Sequence, residues 1–267
     1  MRLQVLAVTM HREDLSIAEQ MNIRCDALIA NQADREETVI CDTAHGRWQM
    51  ITTATRGVGR NRNVGLTAAD GDILLLSDDD VVYRDDMPTE VLKAFADCPQ
   101  ADVMIFGMDM VRDGQVFETR CEPHRRVRIW NAMKYGTYRI AIRREALERA
   151  HIRFHESFGG GCPFSAGEDS LFIKGCLDNH LRIYTHPYVL GTCCKDSSSW
   201  FVGYNEKYFY DKGVLVRHLF PRTAYLMALY FAVRFKRDTH VGVWRRLRLV
   251  YAGVRGGKQM TPYPGTL

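Results

Sequence analysis

Hydrophobic positions in the first half of the chain follow two patterns that take turns. Largely apolar runs at Leu3–Thr9, Asp26–Ala30, Trp48–Thr53 and Ile73–Ser77 read as buried strands. Between them, Asp14–Met21 and Val58–Ala69 carry apolar residues at helical spacing. Met87–Ala96 adds another helix, with Pro88 at its start and Val91, Leu92 and Phe95 on one face, and Asp102–Gly107 reads as the next strand. This alternation predicts an α/β fold with a Rossmann-like mixed, mostly parallel sheet flanked by helices. Past the Asp113-Gly114 turn the pattern loosens. Arg139–Arg143 reads as a strand, Glu145–Ala150 as a short helix and Gly159-Gly160-Gly161 as a flexible loop. Ser170–Asn179 then has helical spacing and Leu181–Thr185 reads as a strand. From Trp200 the chain turns aromatic and basic, which divides it into a domain over 1–221 and a helical C-terminal extension over 222–267.

The 267 residues, 46% hydrophobic and 25% charged, suit one large globular domain with an appended segment. No apolar run approaches the roughly 20 residues needed to span a bilayer. The N-terminal Met1–Thr9 reads as a first strand and lacks the length and small-residue site of a signal peptide. Eight cysteines without a C-x-x-C pair read as reduced structural thiols of a cytoplasmic protein. The net charge of +4 is uneven: Arg222 to Lys258 holds nine basic residues against Asp238 alone, so that segment carries +8 and the rest −4. Its apolar stretches, Ala224–Val233 and Val241–Val254, resemble interfacial helices whose arginines face anionic headgroups. The competing reading packs them on the enzyme body with a solvated basic face. No motif supports nucleic-acid binding.

The strongest chemical signal is Asp78-Asp79-Asp80, which ends the run Ile73–Ser77. Side chains alternate along a strand, so Asp78 and Asp80 are expected to share a direction and Asp79 to oppose them. Carboxylates aimed together call for a cation or a sugar hydroxyl between them. The C-terminal ends of strands in open α/β sheets are also where ligands bind. Ahead of this cluster, Arg56-Gly57-Val58-Gly59-Arg60-Asn61-Arg62-Asn63-Val64-Gly65 opens a helix whose first turn suits an anion such as a diphosphate. Downstream, Gly167-Glu168-Asp169 begins another helix. Its acidic pair reads either as first-turn capping or as a general base.

Gly-x-Gly-x-Asn-Arg-Asn-x-Gly, then Ala-x-Gly-Asp, an apolar strand, Asp-Asp-Asp and a distant Glu-Asp together resemble glycosyltransferase family 2. The likeness runs from about Leu3 to Pro221, and Ser198-Ser199-Trp200 through Lys212-Gly213 is similar to bacterial polysaccharide-synthesis members. The resemblance implies a GT-A fold and an inverting hexosyltransferase that uses a nucleotide-sugar, with UDP-sugars first. It further implies a glycan or lipid-linked glycan acceptor in surface polysaccharide synthesis, and a location at the cytoplasmic face of the cell membrane. It gives Asp169 the role of catalytic base, with Glu168 as second choice. Donor binding falls to Thr9, Asn31, Arg56, Arg62, Asp78 and Asp79. Asp80 matches the last residue of the DxD motif, which binds Mn²⁺ or Mg²⁺. A third, histidine ligand is common in such enzymes, but Val189–Thr192 occupies the corresponding place, and His186 and His218 are out of register. Two rival readings stay open: a haloacid dehalogenase-like phosphatase starting at Asp78-Asp79-Asp80-Val81-Val82, and a nucleotide- or sugar-binding module without catalysis.

Overall fold

The computed structural model describes residues 1–194, 203–235, 237 and 239–265. Ser198–Trp200, Lys236 and Asp238, which entered the sequence reading, lie outside them. The elements in chain order are β1 (Leu3–Met10), α1 (Ser16–Gln20), β2 (Asp26–Gln32), β3 (Glu37–Thr43), β4 (Gly46–Thr53), α2 (Val58–Ala68), β5 (Ile73–Asp78), β6 (Val81–Tyr83) and α3 (Met87–Asp97). They continue as β7 (Val103–Arg112), β8 (Gln115–Arg120), β9 (Arg125–Arg126), α4 (Ile129–Ala132), a 3-10 turn at Thr137–Arg139, β10 (Ile140–Arg143), α5 (Arg144–Ala150), α6 (Glu168–Asp178) and β11 (Ile183–Cys194). Three helices close the chain: α7 (Glu206–Leu219), α8 (Ala224–Arg234) and α9 (Val243–Gly256).

One 11-stranded sheet runs β3-β4-β2-β1-β5-β10-β7-β11-β6, with β8 on β7 and β9 on β11. Strands β1, β2, β4, β5, β7 and β11 point one way, whereas β3, β6, β8, β9 and β10 run against them. The mixed sheet with a parallel core is therefore as the alternation predicted. The opposing strands other than β10 are hairpin or edge additions. Strand alternation splits the core in two: Val5, Ala7, Ile29 and Leu75 face a cluster covered by Ile17 and by Val91 and Phe95 of α3. Leu6, Val8, Leu74 and Leu76 face the opposite cluster, covered by Phe172, Ile173 and Cys176 of α6. Each such side chain removed from water stabilises the fold by about 1.5–3 kcal/mol.

The last three helices form a further layer. Phe209 and Val216 of α7 pack with Ala224, Ala228 and Ala232 of α8 and with Leu249, Val250 and Val254 of α9. Tyr210, Val214, Leu215 and Leu219 tie α7 to Phe158 and Phe164 of the body. The helical layer thus takes in α7, ahead of residue 222. Where α7 and α9 cross, two glycines face each other: a Cβ on Gly253 would lie 2.0 Å from the Tyr210 carbonyl oxygen, and one on Gly213 would lie 2.1 Å from that of Val250. Backbone cannot yield as a side chain would. We expect Gly253→Ala to force the helices apart and lower unfolding free energy by about 1–3 kcal/mol. Gly242→Ala, whose Cβ meets open space, should stay within about 0.5 kcal/mol of wild type in the same urea titration.

Candidate active site

The C-terminal ends of β1, β2 and β5 meet at one edge of the sheet, and the sequence-predicted residues collect there. Its centre is Arg62 on α2, whose side chain is 5% exposed. Its guanidinium donates to Asp78 Oδ1 at 2.6 Å and to Asp169 Oδ1 at 3.2 Å, and Glu168 Oε1 lies 3.6 Å away. The ring of Phe154 supports its flat face at 5.1 Å. Burial acts to lower the Arg62 pKa, but the three carboxylates outweigh it and the net shift is upward, so this cation is permanent. Arg62 brings together Asp78 and the Glu168-Asp169 pair from elements far apart in the chain.

The neighbours of Arg62 on α2 have separate structural tasks. Asn61 donates to the carbonyls of Thr9 and Ala30 and so clamps β1 to β2. Arg60 pairs with Glu156, and Asn63 exchanges hydrogen bonds with the Phe154 backbone. The helix start itself is covered: Val58 N–H donates to the Gly160 carbonyl at 3.0 Å, and a Cβ on Gly59 would lie 2.6 Å from the His155 carbonyl oxygen. The glycines here serve close packing against residues 155–162. They do not form the open diphosphate cradle expected from the sequence.

The three aspartates separate. Strand β5 ends at Asp78, so alternation does not carry through Asp80, and the expected common direction of Asp78 and Asp80 loses its basis. Asp78 meets Arg62; Asp79 accepts from the Thr9 hydroxyl at 2.6 Å with the Arg12 guanidinium 3.7 Å away; Asp80 accepts from the Cys193 thiol at 3.4 Å. Asn31 is fully buried, with its amide engaged by the Arg12 backbone and by Thr52 Oγ1. It shapes the turn after β1. Arg56 stands apart from this cluster, paired with Asp34 and bonded to the Thr55 carbonyl.

The acidic pair on α6 divides by exposure. Glu168 is 15% exposed, and Oε2 accepts from the Gly167 N–H. Burial, reinforced by the Asp169 charge, pushes its pKa up to about 7 despite Arg62. Asp169 is 31% exposed, and both of its hydrogen bonds, from Arg62 and from the Thr137 hydroxyl at 2.7 Å, fall on Oδ1. Its Oδ2 is left to accept a proton. Sequence reasoning missed Thr137, Arg12, Phe154 and Cys193. Thr137 lies in the stretch where periodicity fades, and nothing local marks it. Arg12, three residues past Thr9, is the one a reader of strand ends had a signal for.

Among the described residues no three His, Cys, Asp or Glu side chains gather as a metal-binding group. His186 packs on Phe106 and His218 on His155 and Phe158. A Mg²⁺-like ion that keeps waters and substrate phosphate needs only one or two protein carboxylates. Asp80 fits that requirement.

The fold has solved counterparts. The crystal structure of S. aureus TarS 1-349 in complex with UDP-GlcNAc superposes with a TM-score of 0.61 at 17% identity, covering 88% of this chain and 76% of that one. The complex of the same protein with UDP gives a TM-score of 0.57 at 18% identity, again over 88% and 76%. No curated protein matches the chain. The profile described as Glycosyl transferase family 2 matches residues 15–159, more than half of the sequence, and those residues supply β2, β4, β5 and Arg62. The chain belongs to glycosyl transferase family 2 and is a glycosyltransferase of the GT-A fold.

Proposed function

We propose that the protein transfers a hexosyl group, with inversion, from a UDP-sugar to a hydroxyl of a glycan or lipid-linked glycan in surface polysaccharide synthesis. The observation that carries this reading is the Arg62-centred set of Asp78, Glu168 and Asp169 at the strand ends of a family 2 chain. Asp169 Oδ2 accepts the proton of the attacking hydroxyl, while Arg62 and Thr137 hold Oδ1 and so fix the carboxylate's aim. Asp79, steadied by Thr9 and Arg12, and the Asn31-braced turn form the nucleoside side of the pocket. Asp78 borders the donor. Asp80 would hold Mn²⁺ or Mg²⁺, which when bound neutralises charge developing on the departing diphosphate. The staphylococcal complex puts UDP-GlcNAc first in a panel of UDP-, GDP- and dTDP-sugars assayed for hydrolysis and transfer with Mn²⁺ or Mg²⁺. We expect turnover of one UDP-sugar; a panel without any turnover sinks the reading.

The acceptor side adds a membrane. On α8 the stripe Leu226, Leu229, Tyr230 and Val233 stands exposed, and Trp244 at the start of α9 is 83% exposed. An apolar stripe of this kind beside the exposed Arg222, Arg234 and Arg248 suits an anionic lipid surface. No described helix is long and apolar enough to cross a membrane. The exposed α8 stripe and its arginines support a peripheral location, proposed at the cytoplasmic face, where lipid-linked acceptors are within reach. Co-sedimentation with phosphatidylglycerol vesicles should fall at least tenfold in the double variant Leu226→Ser, Trp244→Ala, at unchanged thermal midpoint. Equal sedimentation of both proteins would overturn the assignment.

A further inference from the structure

Lys212 is a cation that the site described so far does not use. It stands on α7 one turn before Leu215, and Leu215 lies directly on Gly167: a Cβ there would come within 2.5 Å of Leu215 Cδ1. On a helix, Tyr208, Lys212 and Leu215 share a face. The Leu215 end of that face lies on the start of α6, where Glu168 and Asp169 sit, the Tyr208 end packs on Tyr204 and Phe235, and between them the Lys212 ammonium rests 5.4 Å from the centre of the Tyr208 ring.

The pose of α7 is set by other residues. Buried Asp211 accepts from both the backbone N–H and the hydroxyl of Ser165, and from Lys207 Nζ at 2.5 Å. Lys207 also donates to the Pro163 carbonyl. On the other side, the Gly213–Gly253 crossing seats α7 against α9. Lys207 thus shows what a counter-ion lysine does here, closing onto a carboxylate. Lys212 does not: among the described residues it has neither an ion pair within 4 Å nor a hydrogen bond. Burial lowers its pKa, and the fields of Glu168 and Asp211 offset only part of that. A partly buried ammonium held beside a carboxylate cluster, yet closed onto none of its members, is arranged to receive an anion from outside.

We propose that Lys212 binds a phosphoryl oxygen of the substrate during transfer, either on the diphosphate of the donor or on a phosphate of the acceptor. The proposal rests on the sugar-transfer reading for the identity of the ligand and on α7 for its geometry. Asp80 and its metal would meet one part of the diphosphate, and Lys212 adds a second positive group on the Glu168 side, fixed in the protein.

The test is calorimetric titration of inorganic pyrophosphate and of UDP into the full chain as wild type, Lys212→Met and Lys212→Arg, with steady-state transfer measured alongside. Lys212→Met should weaken pyrophosphate binding about 10- to 100-fold, the range of a lost charged hydrogen bond. Lys212→Arg should stay within a few-fold of wild type, and it decides the matter if the methionine variant does not fold. A parallel loss of UDP affinity assigns the donor diphosphate. Unchanged UDP affinity with a raised KM for a phosphorylated acceptor assigns the acceptor. Pyrophosphate affinity equal in wild type and Lys212→Met, or no binding by wild type, overturns the proposal. If pyrophosphate binding depends on Lys212 but no sugar nucleotide turns over, the cation site stands and the sugar-transfer reading falls. Normal transfer with an indifferent Lys212→Met gives the reverse.

Discussion

Asp169→Asn will lower kcat by about 10²- to 10⁴-fold, the usual contribution of a positioned general base, while UDP affinity stays within a few-fold of wild type. The asparagine amide is nearly isosteric and can still accept from Arg62 and Thr137 through its oxygen. What it cannot do is take the acceptor proton. Glu168→Gln makes the comparison informative, because Glu168 is the neighbouring carboxyl on α6 and lies beside the same Arg62. Its burial raises its pKa to about 7, so the wild-type side chain is largely protonated below neutrality, and glutamine imitates that form. We therefore expect Glu168→Gln to cost about tenfold or less, with its largest effect above pH 7, where wild-type Glu168 carries charge. A large kcat loss in Glu168→Gln with a small one in Asp169→Asn would exchange the two roles.

Legibility from sequence followed the range of the interactions. The strands of the parallel core were readable because burial on both faces leaves continuous apolar runs, as in Ile73–Ser77. Strands β3 and β8 were not, since their residues are mainly exposed and their pairing is set by neighbouring strands. The aspartate cluster and the Glu-Asp pair are local motifs, and both fell at the same site. Their link was invisible: Arg62 reaches Asp78 over 16 residues of chain and Asp169 over 107, and Thr137 reaches Asp169 from another element. The Gly57–Gly59 segment shows the opposite error. Its composition fits a phosphate loop, yet the residues that cover it, His155 to Cys162, lie nearly a hundred positions away. The C-terminal helices were legible as aromatic and basic, but that composition does not tell which face of α8 packs and which stays bare.

Arg62→Met should be the most damaging single change for the fold of the site. It leaves Asp78, Glu168 and Asp169 converging on a buried apolar side chain, and breaking a buried ion cluster from one side costs about 3–5 kcal/mol. The loss will depend on pH. Without the guanidinium, burial and the Asp169 charge act on Glu168 unopposed and hold its folded-state pKa further above its unfolded value, near 4. Groups with raised folded pKa favour the folded state at low pH and lose that contribution as pH climbs through the folded values. Glu168 stands at about 7 even with Arg62 present, so the window opens near pH 4 and extends past neutrality. The stability gap between wild type and Arg62→Met, measured by urea unfolding, should therefore be small at pH 5 and approach its full size at pH 8. Arg62→Lys should recover part of it, because one ammonium cannot serve Asp78 and Asp169 together as the two-pronged guanidinium does. A gap that is constant between pH 5 and 8 would mean that Arg62 supports the fold through packing on Phe154 and not through the three carboxylates.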